Sequence, residues 1–183
     1  RSVGSTMGFT ALDGLPMGTR CGQLDPGVVL YLLDQEGMTS TEITEMLYQE
    51  SGLKGLSGLS NDMRQLEQAR DEGHHGAHLA IEVFCYRLAR SLAGLAVALP
   101  RLDGLIFTGG IGENSALVRA LTLRHLAILG LHLDPDANSR LPRGQPGAVQ
   151  RSGSPAILVV PTDEERQIAD ESLGLIDALS KQH

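Results

Sequence analysis

The sequence predicts an α/β domain, with helices packed on a largely parallel sheet. Two observations carry that reading. The back half alternates helical periodicity with short apolar runs, in the order helix, strand, helix, loop, strand, helix. Its 183 residues also fit one large domain, a size at which about 70% of the unfolded surface is buried on folding. Aromatic residues make up only 3% of the chain, so the core must be built from Leu, Ile, Val and Ala.

The elements follow in chain order. The first thirty residues are rich in Gly and turns, with Met7-Gly8-Phe9-Thr10 and Met17-Gly18-Thr19-Arg20-Cys21-Gly22 standing out. After Asp25-Pro26-Gly27, Val28 to Leu33 can open either a helix or a strand. Residues 39–49 predict a helix with Ile43, Met46 and Leu47 on one face and Gly52 as its stop. Residues 52–60 carry Gly and Leu in a pattern with too many breakers for regular structure, and predict a loop. The clearest helix spans 77–99, where Ala80, Phe84, Leu88, Leu92, Leu95 and Leu99 recur three or four apart. Pro100 ends it. Leu102 to Phe107 read as a short buried strand, residues 115–129 as a helix, and residues 140–155 as a surface loop. Ile157 to Val160 predict a second buried strand and residues 164–179 a closing helix.

Composition excludes several classes. A net charge of −7 argues against a nucleic-acid partner, which calls for a basic face. No apolar run approaches the ~20 residues of a membrane span, so no membrane partner is expected. Cys21 and Cys85 stand far apart without a metal or disulfide pattern, and a reducing cytoplasm is the expected compartment. An opening at Arg1 without Met reads as the start of a truncated product.

Four segments could carry chemistry. In Ile106-Phe107-Thr108-Gly109-Gly110-Ile111-Gly112-Glu113-Asn114-Ser115 an apolar strand runs into a Gly-rich turn that opens a helix. Such a turn lets backbone N–H groups approach a phosphate. It is neither a Walker A loop nor a full dinucleotide fingerprint, and a tight strand-to-helix turn capped by Asn114 or Ser115 explains it equally. Val160-Pro161-Thr162-Asp163-Glu164-Glu165 reads as a capping box between Thr162 and Glu165. One of its acids could alternatively face a site and hold Mg²⁺ through water. Arg20, between glycines, has room to meet a phosphate or carboxylate, or is a solvated loop arginine. Asp62 and Arg64 could read a ribose or purine, although Ser60 as N-cap of residues 62–70 accounts for the pattern too. His74 and His78 stand four apart with no third ligand nearby, and read as a solvated turn.

Together these segments resemble the acetate kinase family and its propionate kinase relatives. The resemblance rests on Met7-Gly8-Phe9-Thr10, Gly14-Leu15, Met17 to Gly22 with Asp25-Pro26, Glu50-Ser51-Gly52-Leu53, Asp62-Met63-Arg64, Phe107 to Asn114, and Pro161-Thr162 with Glu164-Glu165. It implies an actin-like ATPase and sugar kinase fold, ribonuclease H-like, with two lobes and a cleft between them. Residues 1–183 would be the C-terminal nucleotide-binding and dimerisation lobe, with the N-terminal lobe absent from this chain. The implied reaction is reversible phosphoryl transfer between ATP and acetate, giving acetyl phosphate and ADP, in a cytoplasmic homodimer that uses Mg²⁺. By similarity, Arg20 stabilises the phosphoryl group in flight, and Asp62, Met63 and Arg64 line the adenosine pocket. Gly110, Ile111, Gly112, Glu113 and Asn114 cradle the nucleotide, and Glu164 helps hold Mg²⁺. The acyl pocket and further catalytic groups belong to the absent half, so the chain alone is expected to be inactive. Gly4-Ser5-Thr6 stand where the family has Asp-Thr-Ser, Asp163 replaces an Asn, Arg166 an apolar residue, and Asn61 a Ser. Propionate or another acceptor, as in a sugar kinase, is the alternative substrate. A non-catalytic nucleotide-binding and dimerisation module is the alternative class, with helix 77–99 either at a subunit interface or in its own core.

Overall fold

The computed structural model describes residues 2–180, so the opening at Arg1 lies outside the described residues. Its first regular element is α1 (Pro26–Asp34), with Asp25 accepting the Gly27 N–H and Pro26 at the first helical position. A capping box closes the start of α2 (Ser40–Gln49), where Thr39 and Glu42 satisfy each other's backbone N–H groups. The predicted loop at 52–60 is instead α3 (Gly52–Ser57), ended by Gly58 in the left-handed conformation. Close packing overrides the Gly content there. Gly52 has φ +61°, and a Cβ on it would sit 2.1 Å from the Met17 carbonyl oxygen. Only glycine lets α3 meet the opening segment so closely.

Next comes α4 (Met63–Asp71), capped by Asp62 rather than by Ser60. Ser60 Oγ accepts the Asp62 N–H at 3.0 Å, one step before the helix. The long predicted helix is α5 (His75–Ala96), with His74 Nδ1 accepting the Ala77 N–H. That contact gives His74 a capping role. One face of α5 buries Ala77, Ala80, Ile81, Phe84, Cys85 and Ala89 in the molecule's own core, against α3, α4 and the later α7 (Ala116–His125).

The sheet has three strands in the order β1 (Gly104–Phe107), β3 (Ala156–Val159), β2 (Gly147–Ala148). β1 and β3 are parallel, with Phe107 opposite Val159, and β2 is antiparallel to β3. The predicted, largely parallel sheet is therefore mixed, because β2 rises from the segment expected to be all loop. β3 is buried as expected. β1 is not: as an edge strand it buries Phe107 alone, and Ile106 is 58% exposed. A second apolar cluster packs Phe107, Ile157, Val159, Val149, Leu123, Leu126 and Leu131 beneath this sheet. After β1 come α6 (Gly109–Asn114), α7, a 3₁₀ turn at Ala127–Leu129 and α8 (Pro135–Arg140). The chain closes with α9 (Glu164–Ser180), whose described residues through Ile176 are all exposed. No helix of the described residues is long and apolar enough to cross a membrane.

Candidate functional site

A cleft of about 480 Å³ opens between the start of α4 and α6. Asn61, Asp62, Met63, Arg64 and Glu67 form one wall, Gly110, Ile111, Asn114 and Ser115 the other, and Arg143 reaches in from the loop before β2. Two segments 48 residues apart in sequence, at Asp62 and Gly110, thus meet at one hollow.

The α4 wall is anchored from below. Met63, Leu66 and Ala69 are buried against α5, and the first turn of the helix, from Asp62 to Arg64, borders the cleft. Asp62 accepts the Arg64 backbone N–H at 2.9 Å and is paired with the Arg64 guanidinium at 2.7 Å. These bonds from Arg64 hold the Asp62 carboxyl down at about 2, so it is ionised across the physiological range. The pair presents both an anionic acceptor and a cationic donor to the cleft.

The α6 wall is held differently. This helix has six residues, none fully buried, and Ile111 alone packs on the core, so neither propensity nor that one apolar contact suffices to fix it. Polar bonds do. Arg119, 2% exposed on α7, donates to the carbonyls of Gly112 at 3.0 Å and Glu113 at 2.9 Å, which α6 leaves unpaired at its end. Asn138 of α8 accepts from Arg119 at 2.7 Å and fixes the guanidinium in turn. Burial pushes the Arg119 pKa down, and the nearby Glu67 carboxylate opposes that shift. Glu67 also accepts a very short hydrogen bond from Ser115 Oγ, and Ser115 caps α7 by accepting the Val118 N–H at 2.9 Å. That bears out Ser115 as the cap.

Other expected site residues stand apart from the cleft. The Glu113 carboxylate turns to the backbone of Gly109 and to Thr162. Gly112 faces Phe107. Arg20, half-buried, lies with Nη1 at 3.9 Å from Met17 Sδ. Its segment is stitched to α2 and α3 by backbone bonds, Cys21 N–H to Leu47 O at 3.0 Å and Ser51 N–H to Thr19 O at 2.9 Å among them. A second hollow of about 490 Å³, lined by Thr19, Glu50, Lys54 and Asn61 among others, adjoins the first through Asn61. Arg20 and Asp62 thus each neighbour a residue of one common hollow.

Glu164 opens α9, exposed. The capping box expected there is absent: Thr162 is engaged by Glu113, and Asp163 accepts the Arg166 N–H at 3.1 Å instead. Among the described residues no group of three or more His, Cys, Asp or Glu could hold a metal ion. A hard cation here would rely on one or two carboxylates and the phosphates of a nucleotide, the manner usual for Mg²⁺. The exposed oxygens of Glu164 suit that role. Burial raises both thiols, Cys85 to about 11, so neither is poised as a nucleophile.

Sequence reasoning missed Glu67, Arg119 and Arg143. Glu67 was within reach, because it lies four residues after Met63 on the same helical face. Arg119 reads as a surface residue until its burial is seen. Arg143 lies in a loop with no periodicity to place it.

Residues 1–170 match the Acetokinase family. The chain belongs to that family. It is 61% identical over 173 residues to an acetate kinase of Ectopseudomonas mendocina and 56% identical over 176 residues to one of Deinococcus radiodurans. These alignments take in 94% and 96% of this chain, and 44% of each relative. The chain therefore spans less than half the length of the acetate kinases it matches. Among solved structures, the acetate kinase of Porphyromonas gingivalis superposes with a TM-score of 0.87 at 35% identity, over 93% of this chain and 43% of its own. A propionate kinase from Francisella tularensis gives 0.82 at 43% identity, over 87% and 40%. The actin-like ATPase fold expected from the acetokinase resemblance is borne out at this level, with the small mixed sheet as its visible part.

Proposed function

We propose that this chain is the nucleotide-binding, C-terminal lobe of an acetate kinase, which moves a phosphoryl group reversibly between ATP and acetate. The observation that carries the reading is the cleft itself, where Asp62, Met63 and Arg64 face Gly110, Ile111 and Asn114. The ionised Asp62 is suited to accept from ribose hydroxyls, and Met63 and Ile111 offer apolar surface to a base. Arg20 meets the charge of the phosphoryl group in transfer, a contribution of positioning and electrostatics rather than covalent chemistry. Glu164 would hold a Mg²⁺ ion, which would supply charge neutralisation to the phosphate oxygens. The acyl pocket belongs to a second lobe, so this chain alone turns over no substrate. The setting is the cytoplasm and the assembly a homodimer.

Acetate-dependent release of ADP from ATP by the full-length gene product tests the reaction, with this chain alone as the inactive comparison. Propionate is the second acceptor to try, since the Francisella tularensis propionate kinase is 43% identical where it overlaps. A hundredfold preference for a sugar over both acids would contradict the reading.

A further inference from the structure

α6 forms one wall of the cleft with no residue fully buried and Ile111 alone packed, half-buried, on the core, so polar bonds must share in setting its position. Arg119 secures the carbonyl end. At the other end, one oxygen of Glu113 gathers three donors: the Gly109 N–H at 2.7 Å, the Thr162 N–H at 2.9 Å and the Thr162 hydroxyl at 2.9 Å. Gly109 is the first residue of α6, two residues after the end of β1, and Thr162 lies in the loop after β3, its parallel neighbour. The carboxylate therefore bridges the exits of two adjacent strands. These donors, together with the Thr108 side chain, pull the Glu113 pKa below the usual glutamate range, which keeps the acceptor charged.

We infer that Glu113 is a positioning residue, a latch that fixes α6 against the loop leading into α9, so that Thr162, outside the cleft, governs nucleotide affinity. The inference rests on the cleft being the nucleotide site. The base-facing wall and the acidic start of α9 then move as one unit. Nucleotide contact is left to Gly110, Ile111 and Asn114, and Glu113 acts through them.

A double-mutant cycle on ADP binding by calorimetry tests this, with thermal melting of each variant as the fold control. Thr162→Val removes the hydroxyl donor and should weaken ADP binding about threefold to tenfold, the scale of one net hydrogen bond. Glu113→Ala should weaken it by about tenfold or more on the same basis, and Glu113→Gln, which keeps an acceptor oxygen, should recover most of the loss. In the Glu113→Ala background, Thr162→Val should have no further effect, because coupled partners are not additive. Should Glu113→Ala fail to fold, Thr162→Val alone and combined with Glu113→Gln still decides the matter.

Wild-type affinity in Thr162→Val would overturn the latch. So would additive losses, which would mean that Glu113 touches the nucleotide itself. An Asp62→Ala control separates the two levels: if it weakens ADP binding while Thr162→Val does not, the nucleotide site stands and the latch alone falls. No ADP binding by a folded wild-type chain would overturn both.

Discussion

The two walls of the cleft are fixed by different physics. α4 stands on buried Met63, Leu66 and Ala69 and inherits its position from the core. Beyond one half-buried contact at Ile111, α6 stands on a buried arginine, a carboxylate latch and the backbone groups they satisfy. Apolar burial is tolerant, whereas a polar clamp is lost when one partner goes, because the other is left unsatisfied. The lesson is that the α4 wall supplies stability and the α6 wall supplies geometry, and that substitutions in the two should separate these quantities. Arg20 sits half-buried on a stitched loop, and Glu164 on an exposed helix.

The largest effect is expected for charge at the transfer point. Arg20→Ala in the full-length enzyme should lower kcat by about 10²–10⁴, the range for losing a transition-state charge contact. ADP affinity should barely change, and a rate loss under tenfold would remove Arg20 from that role. Leu66→Ala, at a fully buried position under the α4 wall, should cost about 2–5 kcal/mol of stability in chemical denaturation. A loss below about 1 kcal/mol would show that the wall does not depend on this core.

Gly110→Ala sharpens the contrast. Gly110 does not have a positive φ, and a Cβ on it would meet nothing within 4 Å. Neither backbone nor internal packing demands a glycine there, so the open space belongs to the cleft. The substitution should leave stability unchanged or raise it by up to about 1 kcal/mol, since Ala is the better helix former. ADP affinity should nevertheless fall about tenfold, the size of a modest steric penalty in a fitted pocket. Destabilisation with unchanged affinity would reverse the assignment. The smallest effect is expected on α9, where Leu173 is 59% exposed: Leu173→Ala should shift stability by less than about 0.5 kcal/mol.

Much of this was legible in advance, but unevenly. The period of α5 and the apolar run of β3 announce themselves, because burial of one face imposes a repeat on the sequence. α3 was hidden because its glycines look like breakers, and the close approach to Met17 that requires Gly52 is a tertiary fact. β1 reads as buried from composition, yet it lies at a sheet edge, and strand order is not written in a local window. In the site, Asp62 to Arg64 and the Gly-rich turn were recognisable as motifs. Their meeting at one cleft was not, nor was the turning of Glu113 away from it, since polar clamps leave no periodic trace.

The measurement that tests the central claim most directly is calorimetric binding of ADP to this chain, beside Asp62→Ala. The account predicts saturable one-to-one binding, weakened about tenfold to a hundredfold by the substitution, the scale of hydrogen bonds to a charged group. A folded wild-type chain that binds no ADP, or an Asp62→Ala variant that binds as well as wild type, would contradict it.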